Sequence, residues 1–280
     1  MDKLDGLDAG LASQVQQLLL PKSPPLCDWS CIDVQNIMAD GLGGDFFDFL
    51  PTADGCQAVM IGDVTGHGLS ASVVMGLLYG YIHSVVETIC SPYAVASRVN
   101  DFLKSFAARS QSYDHLFSAT LFFGIVEPRT LEMHYINAGH PAPLVRRDGR
   151  LISLKATAPP IGFFDIPESS VKSIQFQKND RWLLYTDGIT ETMGAEGYLF
   201  GKERLERLLL SHNGDHLEFL DHLIGAVRTF SIDDSVRDDC TAIAIDFHRN
   251  PQGVDSEKKE YGYSTGSDNS VAKQYKESSS

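Results

Sequence analysis

Several things are scarce in this 280-residue chain, and each scarcity removes a class of function. Its cysteines, Cys27, Cys31, Cys56, Cys90 and Cys240, are odd in number and form no Cys-x-x-Cys pair, which argues against a disulfide scaffold or a zinc ribbon and for reduced thiols. Basic residues number 23 against 37 acidic ones, for a net charge of -14, and no basic stretch stands out. A nucleic-acid partner is therefore not expected. Uninterrupted apolar runs stop short of the roughly 18 residues a membrane span needs. Residues 1–10 also lack the basic segment and apolar core of a signal peptide. The expectation is a cytoplasmic protein with no membrane span. No internal repeat is present, and a hydrophobic content of 43% suffices for a sizeable core.

What is present is ordered along the chain. Leu4, Leu7, Leu11, Val15 and Leu18 recur at steps of three and four, the pattern of an amphipathic helix that Pro21 and Ser23-Pro24-Pro25 bring to an end. That stripe requires burial, against the main body or against a second copy. Two apolar runs, Phe46 to Leu50 and Gln57 to Val64, flank Asp54-Gly55 as in a β-hairpin. Helical spacing follows over Ser70 to Ile89 and from Ser91-Pro92 to about Ala108. Strand patterns cover 117–126, 131–137, 143–147, 151–154 and 182–186, helical ones 202–210 and 216–230, and a last strand 240–247. This order is not a βαβ alternation and predicts an antiparallel α+β layered fold. The chain divides into an N-terminal helix (1–22), a main domain (23–248) and a polar tail (249–280) too poor in aliphatic residues to fold.

Four acidic stretches dominate: Gly43-Gly44-Asp45, Gly62-Asp63-Val64-Thr65-Gly66-His67-Gly68, Thr186-Asp187-Gly188 and Arg237-Asp238-Asp239. Each sets a carboxylate beside glycine or at the edge of an apolar run, where a strand stops and a turn begins. A lone Asp-Gly is usually only a turn. Four carboxylates converging on one point, however, repel each other unless a cation lies among them, and an all-oxygen donor set favours Mg²⁺ or Mn²⁺ over zinc. The chain reads as a metal-dependent hydrolase.

Five motifs occur in order: Gly43-Gly44-Asp45-Phe46-Phe47-Asp48-Phe49, Ile61-Gly62-Asp63-Val64-Thr65-Gly66-His67-Gly68, Asn137-Ala138-Gly139-His140-Pro141, Tyr185-Thr186-Asp187-Gly188-Ile189-Thr190-Glu191 and Asp238-Asp239-Cys240-Thr241. In this the chain resembles the PPM-type metal-dependent serine/threonine protein phosphatases, in the bacterial SpoIIE/RsbU-like branch, over about Gln16 to Phe247. The resemblance implies an αββα sandwich of two antiparallel sheets flanked by helices, with a two-metal site at one edge. It implies that Asp63 bridges the metals, that the Val64 carbonyl joins the second metal, and that Asp187 and Asp238 bind the first. Asp45 would hold the metals directly or through water, and Glu191 would serve a third, weaker one. Gly139 and His140 would shape a substrate-binding rim. His67 is either the general acid for the leaving oxygen or a turn histidine bonded to its own loop.

The resulting expectation is a Mn²⁺- or Mg²⁺-dependent phosphatase of phosphoserine and phosphothreonine that uses metal-activated water. By resemblance its substrate is a phosphorylated STAS-type anti-sigma-factor antagonist in a partner-switching pathway. An upstream sensor protein or domain would regulate it, and the N-terminal helix would be a regulatory or dimerisation element, with a homodimer through it as one expected partner. The rival readings are a catalytically silent partner-binding module and a small-molecule phosphoesterase. Between Cys31 and Asp45 there is no Lys or Arg to grip phosphate, unlike eukaryotic relatives. Substrate affinity should then depend more on protein–protein contacts than on the phosphate alone.

Overall fold

The computed structural model describes residues 6–39, 41–109, 114–232 and 238–252. Leu4 and the tail beyond Gln252, both part of the sequence expectations, lie outside these residues. Ten strands make two five-stranded sheets, and all pairings within them are antiparallel. The first sheet runs β2 (Asp45–Pro51), β3 (Gln57–Val64), β4 (Ala119–Val126), β5 (Glu132–Ala138) and β8 (Lys172–Gln175). The second runs β1 (Ser30–Ile37), β10 (Cys240–Phe247), β9 (Arg181–Tyr185), β6 (Leu144–Arg147) and β7 (Arg150–Ser153).

Helices α2 (Gly68–Val86) and α3 (Pro92–Ala107) cover the first sheet, while α5 (Lys202–Ser211) and α6 (His216–Phe230) cover the second. The result is the αββα sandwich. Phe122, Phe176, Trp182 and Phe247 meet between the sheets, where their rings stack or tilt against one another. A smaller core under α5 and α6 gathers Leu205, Leu209, Phe219, Leu223 and Val227. Helix starts follow side-chain chemistry: the Ser91 hydroxyl accepts from the Ala94 amide ahead of Pro92, and Asp215 accepts from the Glu218 amide.

Two expectations change. The α2 segment is 19 residues long with a mean hydropathy of 1.5, long and apolar enough to cross a membrane by length and composition alone. Glycine, serine and histidine interrupt its apolar run without lowering the average much, so a scan for unbroken runs overlooks it. Here α2 lies on β2 and β3, with Val74, Met75, Leu78, Ile82 and Val85 buried. One polar anchor reinforces this packing: buried Asp48 accepts from the Tyr79 hydroxyl and sits 2.7 Å from His83 Nε2.

The second change concerns α1 (Gly6–Leu19). The helix meets the main domain, but not through the stripe whose burial the sequence predicts. Its buried contact is polar: Gln16 Nε2 donates to the Gly43 carbonyl (2.6 Å), and the Gly43 amide donates back to Gln16 Oε1 (3.1 Å). The stripe residues Leu11, Val15 and Leu18 remain 61%, 52% and 64% exposed. Val73 and Leu77 on neighbouring α2 are exposed as well.

Candidate metal centre

The site lies where strands of both sheets end together. Asp45 begins β2 and Asp63 sits near the end of β3, and antiparallel register sets them directly opposite each other. Gly44 must be glycine for steric reasons, because a Cβ there would lie 2.7 Å from both Asp63 Oδ1 and the Val64 carbonyl oxygen. The same contact shows that these two oxygens turn toward one place.

Asp45 is 2% exposed, and its Oδ2 accepts from the hydroxyls of Thr186 (2.8 Å) and Thr241 (2.6 Å) on the other sheet. Thr241 also receives a bond from Asn36, and its amide donates to the Thr186 hydroxyl. The two sheets are thus joined at the first acidic motif. Burial raises the Asp45 pKa well above the carboxylate range, and the Asp63 charge adds to this; the two threonine bonds pull the other way.

Asp187 opens the short helix α4 (Asp187–Glu191), where the sequence suggests only a turn. Asp238 and Asp239 precede β10, and the two carboxylates do different things. Asp239 accepts from the amides of Ala39 and Gly44, both at 3.0 Å, and so ties the β10 end to the approach to β2. Asp238 is exposed, and its charge acts on Asp63, Asp187 and Glu191.

Electrostatics record the convergence. Burial first, and then the charges of Asp187, Asp238 and Asp239, push Asp63 up to about 8. Asp187 is raised by burial and then by Asp238; Glu191, exposed at the end of α4, is raised by slight burial and then by Asp187 and Asp238. Among the described residues no Lys or Arg contributes to these shifts. Among the described residues no three His, Cys, Asp or Glu side chains already stand as a closed metal cage. The donors are nonetheless all oxygen, crowded and uncompensated, and this chemistry suits a hard divalent cation.

The remaining predicted residues lie around this group. His67 is exposed ahead of the first turn of α2 and makes no side-chain capping bond. Gly139 takes a left-handed φ of 71° and packs against Pro160. His140 is buried rather than at the surface, so its ring offers a substrate nothing to touch. Its amide donates to the Asn137 side-chain oxygen, and its Nδ1 lies 3.0 Å from the hydroxyl of Thr120, which is directly opposite Asp63 in register. Burial pulls its pKa down to about 3, against a smaller opposing pull from the Tyr185 carbonyl. The sequence reading passes over Thr186, Thr241 and Gln16. The first two could have been noticed as the hydroxyl residues flanking Asp187 and following Asp239-Cys240; nothing in the helix pattern singles out Gln16.

The family described as Stage II sporulation protein E (SpoIIE) matches residues 53–248. Among curated proteins, the chain is 28% identical over 268 residues to Protein IcfG of Synechocystis sp., covering 87% of this chain and 42% of that protein. It is 29% identical over 191 residues to Phosphoserine phosphatase RsbP of Bacillus subtilis, covering 68% and 46% respectively. The chain thus spans about half the length of the curated relatives it matches. Among solved structures, the SiaA-PP2C domain of Pseudomonas aeruginosa superposes with a TM-score of 0.74 at 21% identity, covering 88% of this chain and 97% of that one. That likeness establishes the fold.

Proposed function

Because the chain belongs to the SpoIIE family, we propose that it is a divalent-metal-dependent phosphatase of phosphoserine and phosphothreonine in proteins. One observation carries this reading: Asp63, Asp187 and Asp238 converge, with Asp63 pushed up to about 8 and no cationic side chain among the described residues that shift it. Asp63, Asp187, Asp238 and the Val64 carbonyl would hold Mn²⁺ or Mg²⁺, with Asp45 behind them and Glu191 at a third, weaker position. Bound divalent cations lower the pKa of water and neutralise phosphoryl oxygens. The chain's own residues keep the donors in place: Thr186 and Thr241 fix Asp45, and Asp239 fixes Gly44. His67, exposed four residues after Asp63, is the candidate proton donor to the leaving oxygen.

Two features favour a protein substrate over a small phosphoester. The described residues of the site include no Lys or Arg that shifts its carboxylates and could grip a phosphate. In addition, Phe163 and Phe164 are exposed on a loop whose neighbour Ile161 pairs with Ala119, itself paired with Val64. Buried Asn100 holds that loop by bonding the Phe164 carbonyl and the Gly162 amide. A phosphorylated STAS-type antagonist in a partner-switching pathway is the proposed substrate, with an upstream sensor protein or domain as regulator. Incubating the purified chain with phosphorylated antagonists and an aryl phosphate, with Mn²⁺ or with chelator, tests this. Metal-independent release or none would reject it.

The exposed stripe Leu11, Val15 and Leu18 beside Val73 and Leu77 supports a homodimer through α1. Replacing Leu11→Asp and Val15→Asp should convert dimer to monomer in sedimentation velocity; an unchanged mass would remove this contact from the proposal.

A further inference from the structure

Far from the dimer stripe, on the outer face of the second sheet, α5 and α6 leave an open groove of about 780 Å³ between them. Its floor is apolar, made by Leu208, Ala226 and Phe230, with Gly225 adding no side chain. Arg204, Arg207 and His222 stand along it, and among the described residues no Asp or Glu lines it. This is unusual in a chain with 37 acidic and 23 basic residues. Neither arginine has a carboxylate partner among the described residues. Arg204 Nη1 donates to the carbonyls of Leu199 (3.0 Å) and Phe200 (2.7 Å), and its guanidinium lies 4.6 Å over the Phe230 ring. That holds the charge in place without neutralising it. Arg207 makes only a 3.4 Å bond to its own helix, at the Glu203 carbonyl.

We propose that this groove docks an amphipathic helical segment of an acidic partner protein. The partner's apolar stripe would lie on Leu208, Ala226 and Phe230, and its carboxylates would reach Arg204 and Arg207. Two flanking helices with small residues between them form a trough that accepts a third helix, and guanidinium groups pair carboxylates with two parallel bonds. An anionic membrane fits less well, because a broad surface would also meet Glu203, Glu218 and Asp221, exposed on the same two helices, whereas a single helix lying in the groove does not, since none of the three lines it. Docking here also reaches the site's surroundings: Phe200, at the groove's end, donates its amide to Thr192, immediately after Glu191.

The test uses the full chain and two fluorescent peptides of about 18 residues, long enough to span the groove as helices. Both carry leucine on one face; one has glutamate elsewhere and the other lysine. Fluorescence anisotropy should show the glutamate peptide binding at least about tenfold tighter than the lysine peptide. Gly225→Leu fills the groove, and since a Cβ at Gly225 meets nothing within 4 Å it should do so without strain. It should weaken the glutamate peptide by about tenfold or more while the melting temperature holds or rises. Arg207→Glu should weaken it similarly. Equal binding of the two peptides, no binding of either, or full affinity in both variants would overturn the proposal. So would capture of the chain by phosphatidylserine vesicles that Arg207→Glu abolishes and the glutamate peptide cannot displace.

Discussion

The two halves of the proposed metal centre are built differently. Asp45 and Asp63 belong to neighbouring strands of one sheet, and Asp45 is sealed in, with two threonines of the other sheet on one of its oxygens. Asp187, Asp238 and Glu191 belong to the other side, at the start of β10 and along a helix of one turn, and the last two are exposed. Strand register and a hydroxyl pair fix the position of the first half before any cation arrives. The second half supplies charge whose placement a cation can still adjust. Precision and adjustability are thus divided between the two sheets, and the divide runs through Thr186 and Thr241.

Asp63→Asn attacks the rigid half and should have the largest effect, lowering turnover at least about a thousandfold, or about 4 kcal/mol of barrier. Without metal, Asp63 must take up a proton to fold near neutral pH, because its pKa of about 8 lies far above the unfolded value, and asparagine escapes that cost, so the metal-free melting temperature should rise rather than fall. Turnover at the original rate with saturating Mn²⁺ would dismiss Asp63 from the site. Thr241→Val loosens the join between the halves without touching a proposed ligand. Apparent Mn²⁺ affinity, read by titration calorimetry, should drop by roughly tenfold to a hundredfold, as for other residues that orient metal ligands.

His140 tests the join by pH. Its folded pKa of about 3 lies below the unfolded value of about 6.5, so folding opposes its protonation. The neutral buried ring's contribution is complete above about pH 6.5 and is lost as pH falls toward 3, with a slope of up to about 1.4 kcal/mol per pH unit. Denaturant melts of His140→Gln across that window should show a shallower acid loss than the parent; parallel curves would mean the ring is protonated without cost. Glu191→Gln, on the adjustable side, should have the smallest effect, a few-fold change in the Mn²⁺ concentration needed for half-maximal turnover.

Much of this architecture is legible from periodicity alone. Strong amphipathic patterns place α3, α5 and α6 within a residue or two of their observed bounds, and the Asp54-Gly55 turn marks the β2–β3 hairpin. The misses have a common cause. Strand β1 carries Asp33, Gln35 and Asn36, β8 has four residues of which Ile174 alone is apolar, and α4 is a single turn beginning Asp-Gly. All three are specified by neighbours that the local pattern does not contain: β10 for β1, β5 for β8, and the Thr186–Thr241 contact for α4. At the site, the acidic motifs mark the carboxylates, but a motif cannot say which of two adjacent aspartates spends both its oxygens on amides of another segment. The bonds of Asp239 to Ala39 and Gly44 decide that. A similar limit applies to α1, where periodicity predicts the stripe but gives no sign of the polar grip on its other side.

That grip has a consequence for how the helix can be watched. Gln16 closes a two-bond ring with the amide and carbonyl of Gly43, two residues ahead of Asp45. While α1 is seated, the Gly43 N–H is sheltered from solvent; each time the helix lifts, that single proton becomes free to trade for deuterium. The exchange rate of one peptide group therefore counts how often α1 leaves, at a residue next to the metal centre and with no label on the helix itself. Should a second copy clamp the outward stripe, the departures become rarer and this one isotope clock slows, while amides deep in the first sheet keep their pace.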